Sequence, residues 1–134
     1  MIKRTVLAIF ISSSSLVGCI TTPTISAQQR PPHWGKVIDQ PDNFYQISEY
    51  VFRSEQPDAE LIPQLKAHNI DAVINLRSRN ADLAVLPSTD FQLIHIPIDT
   101  WAMNRDDLLQ VMQHIQQAQK LNQKVLIHCY HGSD

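Results

Sequence analysis

The chain has no apolar run long enough to cross a bilayer as a helix: the run at residues 6–11 is cut off by Ser12 to Ser15, against the ~20 apolar residues that a span requires. It has no basic run beyond Lys3-Arg4, and its net charge is −2. The electrostatic footprint of a nucleic-acid-binding protein is therefore missing, and nucleic acid is set aside as a partner. Charged residues make up 18% and apolar residues 43%, which excludes both the charge excess of a disordered chain and the glycine and proline excess of a fibre. Cysteine is scarce, with Cys19 and Cys129 alone. No zinc-type cluster is spelled out, and no metal or other cofactor is expected. What is there, 134 residues of mixed character, suits one domain with its own core, since domains cluster around ~100–150 residues.

The first residues read as a targeting segment. Lys3 and Arg4 form a positive start, and Val6-Leu7-Ala8-Ile9-Phe10-Ile11 forms a short apolar stretch. Leu16-Val17-Gly18-Cys19 follows and resembles the lipobox of bacterial lipoproteins. The resemblance implies cleavage after residue 18 and acylation of Cys19, and Ile20 in place of Asp points to the periplasmic face of the outer membrane. An acyl chain contributes ~0.8 kcal/mol per buried CH₂, so a multiply acylated Cys19 anchors a protein without a spanning helix. Cleavage takes Lys3 and Arg4 away and leaves nine basic against thirteen acidic residues, a net charge of −4. Cys129 then has no partner for a disulfide within the chain, which leaves it either buried and inert or kept for its reactivity.

Residues 19–43 are polar and proline-rich, without a sustained period, and read as the lipidated N-terminus and a flexible tether. His33-Trp34 within it reads as a local packing contact. From Phe44 short apolar runs alternate with turn residues. Phe44-Tyr45-Gln46-Ile47 and Tyr50-Val51-Phe52-Arg53 are expected as strands, with a helix starting at Pro57-Asp58-Ala59-Glu60 and stopping near Asn69. Asp71-Ala72-Val73-Ile74-Asn75-Leu76 and Phe91-Gln92-Leu93-Ile94-His95-Ile96-Pro97-Ile98 suit strands buried on both faces. The crossover between them is polar, with a short helix at residues 81–86. Asn104 caps a long helix whose Leu108, Val111, Met112, Ile115 and Ala118 recur at three- and four-residue steps. Lys124-Val125-Leu126-Ile127-His128 closes the series as a strand. The order predicts an α/β fold with a central, largely parallel sheet flanked by helices, and a ligand crevice at the strands' carboxyl ends.

Cys129 stands at such an end, in Ile127-His128-Cys129-Tyr130-His131-Gly132-Ser133-Asp134. This segment resembles the phosphate-binding loop of cysteine-dependent tyrosine and dual-specificity phosphatases, where His-Cys is followed by five residues and an arginine, with glycine third of the five. His128, Cys129 and Gly132 match; Tyr130, His131, Gly132, Ser133 and Asp134 are the five, and the arginine would follow residue 134. Tyr50 to Pro57, Val73-Ile74-Asn75-Leu76-Arg77 and Ile96-Pro97-Ile98 resemble the dual-specificity branch as well, so the likeness runs over residues 44–134. It implies a phosphatase-like fold with its C-terminal helices missing from the chain, Cys129 as nucleophile, and a cysteinyl-phosphate intermediate. The general acid is implied to be an Asp ahead of the long helix. Asp99 is the first candidate and Asp106 and Asp107 are its rivals, although first-turn helix charges explain those two. His128 is implied to orient the loop, with Tyr130 and His131 at its rim. Arg53 and Arg77 read as bracing residues.

A loop curled round a thiol aims main-chain N–H groups inward as an anion nest and favours thiolate over thiol. The loop arginine would clamp phosphoryl oxygens bidentately, so the 134 residues by themselves are expected to hydrolyse no phosphoester detectably. Phosphotyrosine, phosphoserine or phosphothreonine, phosphoinositides and inositol phosphates are all open as substrates. With only His131 basic and Asp134 acidic, the loop leans towards a phosphotyrosine-like or small phosphoester. Two other readings are a rhodanese-like sulfurtransferase, against which the His-Cys pair and the glycine position argue, and a non-catalytic anion-binding lipoprotein.

Overall fold

The computed structural model describes residue 31 and residues 34–132. The expected signal peptide, Cys19, His33, most of the tether, Ser133 and Asp134 lie outside the described residues. Six strands form one sheet: β1 (Lys36–Asp39), β2 (Phe44–Gln46), β3 (Val51–Ser54), β4 (Ile70–Asn75), β5 (Gln92–His95) and β6 (Lys124–His128), in the order β1-β2-β3-β6-β4-β5. β3, β6, β4 and β5 run parallel, while β1 and β2 are added antiparallel at one edge. Three helices connect the parallel strands: α1 (Ile62–Ala67), α2 (Asp82–Val85) and α3 (Arg105–Lys120). This is the largely parallel, helix-flanked α/β fold expected from the sequence.

The two faces of the sheet carry different cores. Phe44, Phe52, Leu65, Val73 and Leu126 are buried with α1 and the end of α2 on one side. Ala72, Val125, Ile74 and Ile96 pack under Val111, Ile115 and Ala118 of α3 on the other. Alternation in β3, with Phe52 facing one core and Val51 the other, follows from the two-residue period of a strand. Each fully buried Leu or Phe contributes about 1.5–3 kcal/mol, so Leu126 and Phe52, at most 1% exposed, are among the residues that fix β6 beside β3.

Local chemistry explains most element ends. Asn104 accepts from the Asp106 and Asp107 amides at 2.8 and 3.1 Å, and Asp107 returns a bond to the Asn104 amide, a complete capping box. Asn69 and Asn122 take left-handed backbone angles just after α1 and α3, where asparagine is tolerated. The strand expected over residues 91–98 and buried on both faces is the four-residue edge strand β5, with Gln92 and His95 exposed, because it has β4 on one side only. Three further expectations need correction. Lys36–Asp39 is a strand paired with β2, not tether, so the folded domain begins before Phe44; Val37 lies opposite Tyr45. Asp58 accepts from the Glu60 and Leu61 amides, but this caps a preceding turn, and α1 starts only at Ile62 with Pro63 in its first turn. On α3, Leu108 and Met112 are about half exposed while Val111 and Ala118 are buried, so the apolar stripe is wider than the surface that covers it.

Candidate active site

The carboxyl ends of the parallel strands meet at one rung. Ser54 of β3 and Asn75 of β4 both lie opposite His128 of β6, and Asn75 lies opposite His95 of β5. Among the described residues the buried polar side chains are Ser54, Asn75, Asp82 and His128. All four collect at this end, where an α/β sheet presents its ligands. Cys129, half-buried, is the first residue beyond the rung.

The segment from His128 to Gly132 is shaped by its carbonyl groups, each of which is engaged, four of them with atoms outside the segment and the Cys129 oxygen with the His128 ring. The His128 oxygen accepts from the Leu76 amide at 2.9 Å, and the Tyr130 oxygen accepts from the Gln56 amide at 3.2 Å. The His131 oxygen accepts from Asn43 Nδ2 at 2.9 Å. The Gly132 oxygen accepts from the Arg53 guanidinium, and the Cys129 oxygen faces His128 Nδ1 at 3.1 Å. With its carbonyls drawn outward, the turn directs the Gly132 N–H at Cys129 Sγ, 3.2 Å away. That is the beginning of an anion nest.

Gly132 is required twice over. Its φ is +68°, and a Cβ there would stand 2.5 Å from the Ser54 carbonyl group and the Glu55 amide nitrogen. The arginines serve as braces, as their positions suggested. Arg53 lies over the Tyr45 ring at 4.3 Å while it holds Gly132, and Arg77 lies over the Tyr130 ring at 4.6 Å while it donates to Gln56 Oε1 at 2.7 Å. Tyr130 and His131 are exposed at the rim with their rings edge to face.

Beneath the turn lies a polar network that sequence reading did not mark. Asp82 is 1% exposed. Its Oδ2 meets His128 Nε2 at 2.9 Å, and its Oδ1 accepts from Gln56 Nε2 and Asn75 Nδ2, each at 3.0 Å. Burial by itself would push the Asp82 carboxyl up, but hydrogen bonds from His128 and Gln56 and the charge of His128 outweigh it and hold it below the usual carboxylate value. On the opposite side of the turn, burial followed by the neighbouring Asp39, Asp58 and Glu60 raises Asp42. Burial and then Asp42 raise Glu55, against an opposing pull from His131.

These directions fix a stability profile. Asp42 and Glu55 bind protons more tightly when folded, so stability is gained as pH falls through their raised values. Asp82 binds its proton less tightly when folded, so its contribution is complete above about pH 4 and is lost as pH falls further. Melting temperature measured against pH should therefore show an acid limb below about pH 4 that Asp82→Asn flattens. An acid limb identical in the variant would refute the assignment to Asp82.

Asp99 is exposed and accepts from the Trp101 amide at 3.2 Å in the loop before α3. Its neighbours Ile98 and Thr100 line a cavity of about 590 Å³ that Cys129, Tyr130, Leu108 and Val111 also line. The rivals Asp106 and Asp107 sit in the first turn of α3 as capping charges. Among the described residues no group of three or more His, Cys, Asp or Glu is placed to hold a metal ion, and no helix is long and apolar enough to cross a membrane.

The dual specificity phosphatase catalytic domain family matches residues 51–134, and the chain belongs to it. Dual specificity protein phosphatase TpbA of Pseudomonas aeruginosa is 26% identical over 109 residues, which are 81% of this chain and 49% of that protein. The chain thus spans about half the length of the curated relatives it matches. A solved structure of P. aeruginosa TpbA in complex with pTyr superposes with a TM-score of 0.71 at 25% identity, covering 78% of this chain and 64% of that one. The core catalytic domain of the PP-IP phosphatase SIW14 from S. cerevisiae, in complex with citrate, shares the fold at 21% identity and a TM-score of 0.59, covering 72% of this chain and 60% of that one.

Proposed function

We propose that the protein is a cysteine-dependent phosphatase in which the turn after β6 holds a phosphoryl group against Cys129. The observation that carries this is the outward tethering of the carbonyls from His128 to Gly132, with the Gly132 N–H left on Sγ. The Cys129 thiolate attacks phosphorus in line; the P–S bond forms as the ester P–O bond breaks, and the leaving oxygen takes a proton from an acid. Water then attacks phosphorus, the P–S bond breaks and inorganic phosphate departs. Tyr130 and His131 shape the rim, and Ser133 and Asp134 complete the phosphate loop. The family's arginine belongs at the position after residue 134 and clamps the phosphoryl oxygens. Turnover of p-nitrophenyl phosphate is expected in a version that carries the loop through that arginine and should be lost when the arginine is replaced by alanine; turnover unchanged by that replacement would overturn this assignment of the arginine.

The proposed substrates are phosphotyrosine-like or small phosphoesters. The cavity beside Cys129 is walled by Leu76, Ile98, Met103, Leu108 and Val111, which suits an apolar aromatic leaving group, and the similar TpbA has been captured with pTyr. Asp99 is the proposed acid. Asp99→Asn should lower kcat on a phosphotyrosine peptide by about 10²-fold, the usual scale of general-acid catalysis, and by less on an ester whose leaving group needs no proton. An equal loss on both esters would rule Asp99 out. Cys19 is proposed as the acylated anchor at the outer membrane, tested by labelled palmitate incorporation that Cys19→Ser must abolish.

A further inference from the structure

The strand and loop elements around Cys129 leave one group without a role in the chemistry just described: the buried carboxylate of Asp82. It gathers His128 Nε2, Gln56 Nε2 and Asn75 Nδ2 at 2.9, 3.0 and 3.0 Å, from the ends of β6, β3 and β4. An ionised carboxylate is costly to bury unless it is paired and fully hydrogen-bonded, and here it is both. The other ring nitrogen of His128 faces the Cys129 carbonyl oxygen at 3.1 Å. A carbonyl oxygen has no proton to give, so that contact is a hydrogen bond only when Nδ1 carries the proton. The contact at Nε2 then needs a second proton, shared between His128 and Asp82. The Asp82 carboxylate is thus the counter-charge that lets the ring donate from both nitrogens at once.

Resting on the phosphatase reading, we infer that Asp82 is a positioning residue for the nucleophile. Through His128 it keeps a proton on Nδ1, ties the Cys129 carbonyl oxygen to the ring, and keeps that partial negative charge from the sulfur. The charged groups around the pair are few. His95 lies on β5 with its ring on the Arg77 carbonyl at 2.8 Å, and Arg77 reaches the network through its guanidinium on Gln56 Oε1 at 2.7 Å and its amide on Asn75 Oδ1 at 2.8 Å. The chain of contacts therefore runs from Arg77 and Tyr130 at the rim, through Gln56, Asp82 and His128, to the backbone of Cys129. Buried networks of this kind act as a unit, which makes coupling between variants the informative measurement.

The experiment is iodoacetamide alkylation of Cys129 in the full chain across pH, read at that cysteine by peptide mass spectrometry so that Cys19 does not contribute. Nitrogen NMR of the His128 ring is recorded in parallel. In the wild type both ring nitrogens carry protons and Cys129 is alkylated near neutral pH. Asp82→Asn should slow alkylation at pH 6 by about 5-fold or more, which corresponds to about one kcal/mol, and remove one ring proton. In the double variant with His128→Gln the Asp82 substitution should have no further effect, because its influence passes through the ring. A wild-type ring without a proton on Nδ1 overturns the inference with no variant needed. So does an Asp82→Asn protein that alkylates like the wild type, or one whose loss persists in full beside His128→Gln. A wild-type Cys129 that resists alkylation instead removes the phosphatase reading itself.

Discussion

Replacing Gly132 with alanine is expected to destroy the site while leaving most of the sheet intact. The left-handed conformation alone costs a residue with a Cβ about 1–2 kcal/mol. The larger effect is steric, because the new methyl would lie 2.5 Å from the Ser54 carbonyl and the Glu55 amide. Those are backbone atoms at the end of β3, held in register with β6, and they have nowhere to go. The turn must therefore open, which breaks the Arg53 contact and withdraws the Gly132 N–H from Sγ. In a version carrying the loop arginine, kcat/KM should fall by at least about 10²-fold, comparable to losing one oxyanion donor. A Gly132→Ala protein with wild-type turnover would mean that the turn does not have this shape.

Cys129→Ser has the second large effect. A serine hydroxyl is not ionised near neutral pH, whereas a thiol close to main-chain donors ionises readily. Turnover should drop by about 10³-fold or more, as when the nucleophile of a catalytic unit is removed. Phosphotyrosine peptide binding, measured calorimetrically, should persist, because the cavity walls and the turn's donors remain. Loss of binding together with turnover would point to a scaffold role for the sulfur. Turnover that survives would point to another nucleophile.

The parts of this architecture that local chemistry dictates are visible in the residues themselves. β4 and β6 announce themselves as apolar runs because both of their faces are buried. Asn104 and Asp107 mark the start of α3 through a pattern three residues long. The proposed nucleophile stands out for the same reason: His128, Cys129 and Gly132 are near neighbours in the sequence, and the turn they form is local. What could not be read depends on distant partners. Lys36–Asp39 is a strand because Phe44–Gln46 lies beside it, and four residues with charged ends give little periodicity. Asp82 looks like a first-turn helix charge in a polar crossover, and only the fold brings it to His128, 46 positions further on. Asn43 likewise braces the turn from a sequence position that carries no mark of it. Leu108 and Met112 belong to a helical stripe whose cover the periodicity cannot report.

The most direct test of the account is to stop the reaction during turnover and look for phosphate on the sulfur. With a phosphotyrosine peptide as substrate and a version of the protein that carries the loop arginine, rapid acid quenching followed by peptide mass spectrometry should find one phosphoryl group on Cys129. Asp99→Asn should still form it. Phosphate released with no sulfur-bound species at any time, by a protein whose Cys129→Ser variant works equally well, would contradict the account.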